Sequence, residues 1–240
     1  MTQRQSFNRA EKRKSPIIAI VGADGSGKTT ISHELLDLLA DYQPAVLCHL
    51  GKQTGNMRRA MRQYTLGKKV DRQIKKAGAV ARERGVSFPV ALFMFTASAR
   101  RILRFAKMLC LHRMGYAILT DRYPQTAVYR VMDGPLLPGR HYADIGAKAL
   151  MRLEYWFYRK LASVRPDVVI RLNVDLDTAI SRKPDHGALS LERKVLAVQK
   201  LAFNGAPVVD LDAGQPLEDV LEQARAVVRS VMAGYPPSGR

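Results

Sequence analysis

Short apolar runs alternate with longer amphipathic segments along most of this chain. The apolar runs are rich in Ile, Val and Leu and have the length of strands; they span residues 16–21, 45–50, 116–120, 167–174 and 206–211. The amphipathic segments, which have apolar residues at helical spacing, span residues 28–40, 57–84, 89–114, 141–163, 176–182, 191–201 and 216–232. Strands that are apolar on both faces and separated by helices predict an α/β fold, in which a five-stranded parallel sheet is flanked by helices.

The organisation of the chain predicts one domain with a tail, an insertion and a lid. Residues 1–14 lack hydrophobic periodicity, so we expect a disordered basic tail there. Residues 15–235 show no internal repeat and no low-complexity linker, which predicts a single domain. Within this domain, residues 51–86 are interpreted as a basic insertion or a mobile flap. Residues 182–192 contain Pro and Gly and are interpreted as a mobile lid, with a plain surface loop as the alternative.

The net charge of +18 is concentrated in three stretches of the chain. Residues 1–14 contain five Lys or Arg and one acid, residues 52–84 contain eleven and two, and residues 100–113 contain five and none. A charge this local predicts an electropositive surface for an anionic partner, which is nucleic acid, a membrane surface or a polyanionic substrate. The alternative is a solvated helix face together with a disordered tail. The third stretch has three cations on one helix face, namely Arg100, Arg104 and Lys107.

The composition argues against several classes of protein. The 240 residues are 47% hydrophobic and 25% charged, which is an ordinary globular composition, and no apolar run reaches the roughly 18 residues of a membrane span. Cys48 and Cys110 have no metal-ligand spacing, and the five histidines have no close pairing. These observations predict a reduced, cytoplasmic chain; they leave open a peripheral position at the inner face of the membrane and a homodimer. We expect Trp156 and the adjacent aromatic residues to pack in the core and along a helix face.

The segment VGADGSGKTT at residues 21–30 has the strongest chemical signal. Residues 22–29 match the pattern G-x-x-x-x-G-K-[ST] and lie between a predicted strand and a predicted helix. The glycines let successive backbone N–H groups point at phosphate oxygens, while Lys28 reaches the β- and γ-phosphates and the Thr29 hydroxyl binds Mg²⁺. The segment therefore predicts the three-layer fold of P-loop NTPases and a site for ATP and Mg²⁺. The residues expected to bind the nucleotide are Gly22, Asp24, Gly25, Ser26, Gly27, Lys28, Thr29 and Thr30.

A second candidate segment is YAILTDRY at residues 116–123, where a predicted strand runs directly into Asp121 and Arg122. Ligands of open α/β sheets bind beyond the carboxyl ends of the strands. We therefore expect Asp121 near the magnesium site and Arg122 near a transferred or accepting phosphate. The alternative is a charged pair that ends the strand in solvent.

The chain resembles the thymidylate kinase-like branch of the P-loop nucleoside and nucleotide kinases. Three segments in order carry the resemblance: VGADGSGKTT at the first strand, LTDRYPQTAVYR after the third, and RLNVDLDTAISRK from the fourth strand into a helix. The resemblance covers residues 16–30 and 88–230, whereas residues 40–87 match poorly. It implies an ATP- and Mg²⁺-dependent kinase that transfers the γ-phosphoryl group of ATP to a nucleoside monophosphate, with dTMP as the default acceptor.

The resemblance also implies roles for individual residues beside the phosphates. Asp24 matches an acidic loop residue that contacts the sugar of the acceptor. Asp121 and Arg122 match a pair that handles Mg²⁺ and the acceptor phosphate. The expected catalytic residues are Lys28, Asp121, Arg122 and Arg182.

Two further parts of the site are implied more loosely by the resemblance. Phe95 (or Phe93) with Arg100 corresponds to an aromatic residue and an arginine that hold the acceptor base, although the spacing is off by about a residue. Because the loop itself contains no arginine, a cation for the transition state is expected from the lid. The candidates are Arg182 and Lys183, with Arg193 and Lys194 behind them.

Departures from the family pattern leave the acceptor open. HLGKQTG follows the second strand, where thymidylate kinases carry Arg-Glu-Pro-Gly-Gly, and Arg130 stands where glutamine is common. The alternative acceptor is an anionic sugar, glycan or lipid-linked intermediate at a membrane surface. Two other classes also stay open: a P-loop ATPase that binds nucleic acid through its basic region, and a peripheral membrane or assembly protein that uses its nucleotide site for regulation.

Overall fold

The parallel sheet that the sequence predicts is present in the computed structural model, which describes residues 15–51, 84–184 and 187–235. The predicted basic tail, most of the basic insertion and the predicted helix at 57–84 lie outside the described residues, except for the last residue of that helix. The elements of the described part are β1 (Ile17–Gly22), α1 (Lys28–Tyr42), β2 (Ala45–His49), α2 (Phe88–Arg113), β3 (Ala117–Asp121), α3 (Ile145–Ser163), β4 (Val168–Asn173), α4 (Leu176–Arg182), α5 (Ala188–Val198), β5 (Val208–Asp212) and α6 (Leu217–Met232).

The five strands form one parallel sheet in the order β2-β3-β1-β4-β5. β1 lies in the centre and all six of its residues are buried. Since the strands are parallel, their carboxyl ends meet at one edge, and the register there pairs His49 of β2 with Asp121 of β3. The chain leaves β1 at this same edge and enters α1 through residues 22–27, which we call the glycine-rich loop. This loop therefore lies beside Asp121.

Helices cover both faces of the sheet, and each face has its own hydrophobic core. Ile18 and Ile20 of β1 face α1 and α6. Ile17, Ala19 and Val21 face the other way, toward α2 and α3. This alternation along one strand produces the three layers, because a strand presents successive side chains to opposite faces. The predicted three-layer fold of P-loop NTPases is confirmed.

All five predicted strands are confirmed, with ends within two residues of the expected positions. The helix predicted from residue 141 begins instead at Ile145, because the Asp144 side chain accepts a hydrogen bond from the Ala147 N–H and caps the helix there. The helix predicted at 191–201 starts earlier, at Ala188, so the second half of the expected lid is helical. Of the aromatic residues expected to pack in the core and along a helix face, Tyr158 is buried, while Trp156 lies on the face of α3 with 52% of the residue exposed and its ring 4.9 Å from that of Phe157.

A buried arginine joins α2 to three other parts of the fold. The Arg101 guanidinium donates hydrogen bonds to the Leu50 carbonyl oxygen (2.7 Å) and to the Tyr158 hydroxyl (2.9 Å). It also donates to the backbone carbonyl and to the carboxylate of Asp133. A buried guanidinium is stable only when its charge and its N–H groups are matched, and these partners match both. Arg101 thereby fixes the loop that contains Asp133 against α2 and α3.

A buried carboxylate holds the other end of the same loop. Glu154 of α3 is completely buried and accepts hydrogen bonds from the N–H groups of Leu136 (3.1 Å) and Leu137 (2.7 Å). The Ser98 hydroxyl of α2 donates to its other oxygen. The loop is thus attached by side chains from both helices of this layer.

The loop itself is shaped by one buried amide. The Gln125 side chain donates to the carbonyl oxygens of Val128 (2.8 Å), Val131 (3.2 Å) and Met132 (3.0 Å). The turn around this amide is so tight that a Cβ on Gly134 would lie 1.8 Å from the Val128 oxygen, so the position accepts only glycine. We call residues 125–137 the clamped loop.

Replacing the buried arginine tests how much the clamped loop depends on it. In Arg101→Met the carboxylate of Asp133 stays buried without its ion-pair partner, so we expect the free energy of unfolding to fall by about 3–5 kcal/mol. Urea unfolding followed by circular dichroism measures this change. The matched control is the neighbouring exposed Arg100→Met, which we expect to change stability by less than about 0.5 kcal/mol. An equal loss in both variants would contradict the assigned role of Arg101.

Candidate phosphate-binding cleft

A cleft of about 1310 Å³ lies at the carboxyl ends of the strands. Its described walls come from the glycine-rich loop, the ends of β2 and β3, the clamped loop, and the segment from the end of α4 into α5. Seven of the described lining residues are Lys or Arg and three are Asp. The cleft is therefore positively charged and suited to an anionic ligand.

The glycine-rich loop has the backbone shape that its sequence predicts. Gly25 and Gly27 have φ angles of 89° and 79°, which side-chain-bearing residues rarely adopt. α1 begins at Lys28, directly after Gly27, and no side chain caps its first N–H groups. These N–H groups and the positive end of the helix form an anion-binding site at the mouth of the cleft.

Lys28 is folded back against its own loop. Its Nζ donates a hydrogen bond to the Ala23 carbonyl oxygen at 2.5 Å, and the residue is buried. Burial, followed by the positive charge of Arg122, lowers the pKa of Lys28 from its usual 10.5 to about 8. The ammonium thus lies in a pocket that disfavours its charge until an anion binds beside it.

Asp24, inside the glycine-rich loop, joins two cations from distant elements. Its Oδ1 is 3.3 Å from a guanidinium nitrogen of Arg122, and its Oδ2 accepts a hydrogen bond from Nζ of Lys194 on α5. Burial by itself raises the pKa of Asp24, but the hydrogen bond from Lys194 and the charges of Lys194, Lys28 and Arg122 outweigh it and lower the pKa. Asp24 is therefore an anion that holds α5 against the glycine-rich loop.

Asp121 ends β3 beside the loop and has an unused acceptor atom. Among the described residues, its Oδ1 is buried without a hydrogen-bond partner, while its Oδ2 lies 3.6 Å from Nδ1 of His49. A buried carboxylate oxygen without a donor suits a cation, and the Thr29 hydroxyl lines the same cleft. The described residues contain no group of three or more His, Cys, Asp or Glu that could hold a metal by itself. A Mg²⁺ ion here therefore fits only with phosphate oxygens as further ligands.

Arg122 occupies a backbone conformation that is uncommon for a residue with a side chain. Its φ angle is 70°, and its side chain passes so close to Gly51 that a Cβ there would lie 2.8 Å from the Arg122 Cδ. Burial alone lowers the pKa of this guanidinium, but the carboxylates of Asp133, Asp121 and Asp24 outweigh that effect and raise it. The strain and the surrounding carboxylates together aim the guanidinium into the cleft.

Arg182, the last residue of α4, reaches the glycine-rich loop from the opposite wall. Its Nη1 donates to the Ala213 carbonyl oxygen at 2.8 Å and to the Gly25 carbonyl oxygen at 3.3 Å. Lys183 and Arg193 line the same wall. The three cations surround the space in front of the loop, where phosphate oxygens would lie.

Nine of the residues predicted for the site line this cleft, and four do not. Asp24, Gly25, Gly27, Lys28, Thr29, Thr30, Asp121, Arg122 and Arg182 line it. Gly22 and Ser26 are buried beneath the loop. Phe95 and Arg100, expected to hold the acceptor base, are absent from the described lining, and α2 points Arg101 inward in place of Arg100. Their role as acceptor ligands has no support in the geometry.

Sequence reasoning did not assign several cleft residues to the site, among them His49, Met132 and Asp133. His49 ends β2 opposite Asp121, and Met132 and Asp133 reach the cleft on the clamped loop. Met132 and Asp133 have φ angles of 45° and 67°. The signal available was the MDGP segment at 132–135, whose Asp-Gly pair is typical of a turn.

Two bacterial ATP-binding proteins are similar to this chain over most of its length. The chain is 34% identical over 223 residues to YghS of Escherichia coli (strain K12), named as an uncharacterized ATP-binding protein, and the match covers 90% of this chain and 94% of YghS. It is 30% identical over 220 residues to YghR of the same organism, also named as an ATP-binding protein, with 90% and 87% covered. The chain belongs to the YghS and YghR family.

A more distant relative connects this family to the kinases. The probable thymidylate kinase of Archaeoglobus fulgidus (strain ATCC 49558 / DSM 4304 / JCM 9628 / NBRC 100126 / VC-16) is 26% identical over 226 residues, with 90% of this chain and 96% of that protein covered. No family model matches the chain. The predicted membership in the P-loop nucleoside and nucleotide kinases is confirmed at the level of the family. In the described part of this family member, no helix is long and apolar enough to cross a membrane.

The low pKa of Lys28 predicts a pH dependence of stability. Between pH 8 and about 10.5 the unfolded chain keeps the proton on Lys28 while the folded chain releases it, so the free energy of unfolding rises with pH in this window. Below pH 8, keeping Lys28 protonated in the folded state lowers the free energy of unfolding by an amount on the order of 3 kcal/mol. We expect Lys28→Met, which carries no such proton, to be more stable than the wild type at pH 7 and to lose most of that advantage by pH 10. Urea unfolding of both proteins from pH 7 to 10 measures the difference; a constant difference would exclude the shifted pKa.

Proposed function

We propose that this protein is an ATP-dependent phosphotransferase that moves the γ-phosphoryl group of ATP to a small anionic acceptor. The observation that carries the proposal is the meeting of three features in one cleft: a phosphate-binding loop, a buried carboxylate with an unused oxygen, and cations from separate elements. The relatives support it, since two are named as ATP-binding proteins and one as a probable thymidylate kinase.

The glycine-rich loop binds the phosphates of ATP in this proposal. Its N–H groups and those at the start of α1 donate hydrogen bonds to the phosphate oxygens, and Lys28 leaves the Ala23 carbonyl to reach the β- and γ-phosphates. The transfer of Lys28 from a carbonyl oxygen to an anion also favours its charged form. Binding of ATP is therefore coupled to protonation of Lys28 at pH values near 8.

Thr29 and Asp121 fit a Mg²⁺ ion that accompanies the nucleotide. The Thr29 hydroxyl follows the loop lysine, and the unpartnered Oδ1 of Asp121 lies on the same side of the cleft. When bound, the ion supplies positive charge to the β- and γ-phosphate oxygens. His49, beside the second oxygen of Asp121, keeps that carboxylate oriented.

The transfer step needs positioning and charge more than covalent chemistry. An oxygen of the acceptor forms a bond to the γ-phosphorus, the bond from that phosphorus to the bridging oxygen breaks, and ADP leaves with the electron pair. Arg122 binds the acceptor's anionic group, and Arg182 neutralises the charge that develops on the transferred group. An acceptor phosphate is already ionised at neutral pH, so this step requires no general base.

The first candidate for the acceptor is a nucleoside monophosphate, and dTMP is the default member of this class. The order of the three motifs along the chain and the name of the archaeal relative favour this class. In this version of the proposal, Asp24 approaches the sugar and Arg122 binds the monophosphate.

One observation favours a second candidate, an anionic acceptor without a base. No Phe, Tyr or Trp is present among the described residues that line the cleft, so the described walls offer no ring for base stacking apart from the His49 imidazole. Instead, Arg130 stands on the clamped loop and Arg193 on α5, both facing the same space. A sugar phosphate or glycan phosphate can offer its anionic group to these cations and needs no stacking surface.

Removing the loop lysine tests the donor half of the proposal. We expect Lys28→Ala to lose at least about 100-fold in ATP-dependent turnover, because the cation at the β- and γ-phosphates is gone. Coupled ADP release with ATP and Mg²⁺ measures turnover across a panel of nucleoside monophosphates, including dTMP, and sugar phosphates. Lys200→Ala, a change of the same charge on an exposed residue outside the cleft lining, is the control.

The panel also separates the two acceptor classes. Turnover on a nucleoside monophosphate that Lys28→Ala abolishes would establish the first candidate, and turnover restricted to sugar phosphates would establish the second. Tight ATP binding with no turnover on any acceptor, or turnover that survives Lys28→Ala, would overturn the proposed phosphotransferase.

Arg182 is expected to act on the transition state more than on binding. We expect Arg182→Ala to lower kcat by about 10³-fold, while the Kd for ATP changes by less than about tenfold. Single-turnover kinetics and isothermal titration calorimetry measure the two quantities. The neighbouring Lys183→Ala is the matched control; if it lowers kcat as much, the specific role of Arg182 is wrong.

A further inference from the structure

The outer faces of α2 and α3 expose no carboxylate over 45 residues of helix. The two helices contain nine Lys or Arg between them and one acidic residue. That acidic residue is Glu154, which is completely buried and bound to Ser98 and to two backbone N–H groups of the clamped loop. Every charge that residues within these two helices present to solvent is therefore positive, and the exposed Asp144, which caps α3 before Ile145, is an acid at the edge of this surface. We call the exposed side of these two helices the α2–α3 platform.

The opposite layer of the same sheet has the reverse charge balance. α1 and α6 together contain three Lys or Arg and six Asp or Glu. Arg225 and Arg229 of α6 form ion pairs with Glu34, Glu218 and Glu222 on that side. The platform is thus a local property of one face rather than a consequence of a basic composition spread evenly over the surface.

Large apolar side chains stand among the cations of the platform. The most exposed are Ile145 at 87%, Leu103 at 69%, Phe93 at 60% and Trp156 at 52%. Such side chains are rare on a plain solvated helix face when they recur beside one another on two packed helices. The combination of apolar and cationic side chains without an acid needs a partner that is both anionic and apolar.

The spacing along the helices mixes the two kinds of side chain. On α2, Arg100, Leu103 and Lys107 follow one another at intervals of three and four residues. On α3, the Lys160 ammonium lies 5.9 Å from the centre of the Trp156 ring, in a cation–π contact. Trp beside Lys and Arg is the arrangement found where a helix lies in the interface between lipid headgroups and acyl chains.

We propose that the α2–α3 platform docks onto the surface of an anionic phospholipid bilayer. The cations of the platform contact the lipid phosphates, and Trp156, Ile145, Leu103 and Phe93 enter the boundary between headgroups and acyl chains. The helices lie on the surface and do not cross it, in keeping with the absence of a membrane-spanning helix in the described part of the chain. This docking is independent of the phosphotransferase proposal.

Charge decides between this partner and two others. A second copy of the chain, bound symmetrically through the same face, would bring one set of cations against another without an acid to pair them. Nucleic acid matches the cations but leaves the exposed Ile145, Leu103 and Phe93 without apolar contact. An anionic bilayer satisfies both kinds of side chain.

The single tryptophan of the chain makes the proposal directly measurable. We expect the emission of Trp156 in the full-length protein to shift to shorter wavelength when vesicles of phosphatidylcholine with about 30% phosphatidylglycerol are added. Brominated acyl chains in the same vesicles should quench it. Vesicles of phosphatidylcholine alone should produce neither effect, and raising the salt concentration should weaken both, because the attraction is electrostatic at long range.

A pair of charge-matched variants locates the contact. In Arg159→Gln/Lys160→Gln we expect vesicle affinity in co-sedimentation to fall about 30-fold, from the loss of two cations near the surface. Arg225→Gln/Arg229→Gln removes the same charge from α6 and should change the affinity less than about threefold. Lys28→Ala should bind vesicles like the wild type, which separates this result from any failure of the phosphotransferase proposal.

Five results would overturn the proposal. Absence of co-sedimentation with anionic vesicles is the first. Co-sedimentation without any change at Trp156, or an equal loss in the two charge-matched variants, would assign the contact to another part of the chain. A shift of Trp156 that depends on protein concentration without lipid, with a dimer in sedimentation velocity, would assign the platform to a second copy. A shift produced equally by a single-stranded oligonucleotide would assign it to nucleic acid.

Discussion

The carboxylate of Asp24 connects three elements that the chain order keeps apart. It lies in the loop after β1, yet it is bound to Arg122 at the end of β3 and to Lys194 on α5, 98 and 170 residues away in the sequence. The sheet brings the ends of β1 and β3 together, but only a buried anion keeps two cations this close to Lys28. Asp24 therefore ties α5 and the end of β3 to the glycine-rich loop.

The cleft has more positive than negative side chains even when Asp24 is included. Burial, followed by the charge of Arg122, lowers the pKa of Lys28 to about 8, and the opposing effect of Asp24, Asp121 and Asp133 is smaller. An entering phosphate group supplies the missing negative charge and removes the electrostatic cost of Lys28. Binding of a nucleotide with its cation would therefore satisfy three features together. These are the positive charge of the cleft, the buried position of Lys28 and the unused oxygen of Asp121.

The sequence predicts the fold and the phosphate side of the site because both depend on local patterns. Short apolar runs define the strands, and a glycine-rich turn between a strand and a helix is typical of an anion-binding site. The acceptor side depends on tertiary packing instead. Arg100 and Arg101 are equivalent in the sequence, and only the buried partners Leu50, Asp133 and Tyr158 decide which of them points inward. The shape of the clamped loop is equally hard to predict from the sequence, because the Gln125 amide, rather than local preference, sets its backbone at Met132 and Asp133.

The same helix that forms half of the platform is also bound to the segment that leads from β2 into the cleft. On its inner side, Arg101 and Arg104 donate to the carbonyl oxygens of Leu50 and Gly51, directly after β2, while Leu103 and Lys107 stand on the outer side. A rigid 26-residue helix fixed in this way leaves little freedom between the two surfaces. A platform docked on a bilayer would therefore hold the cleft at one orientation to that bilayer.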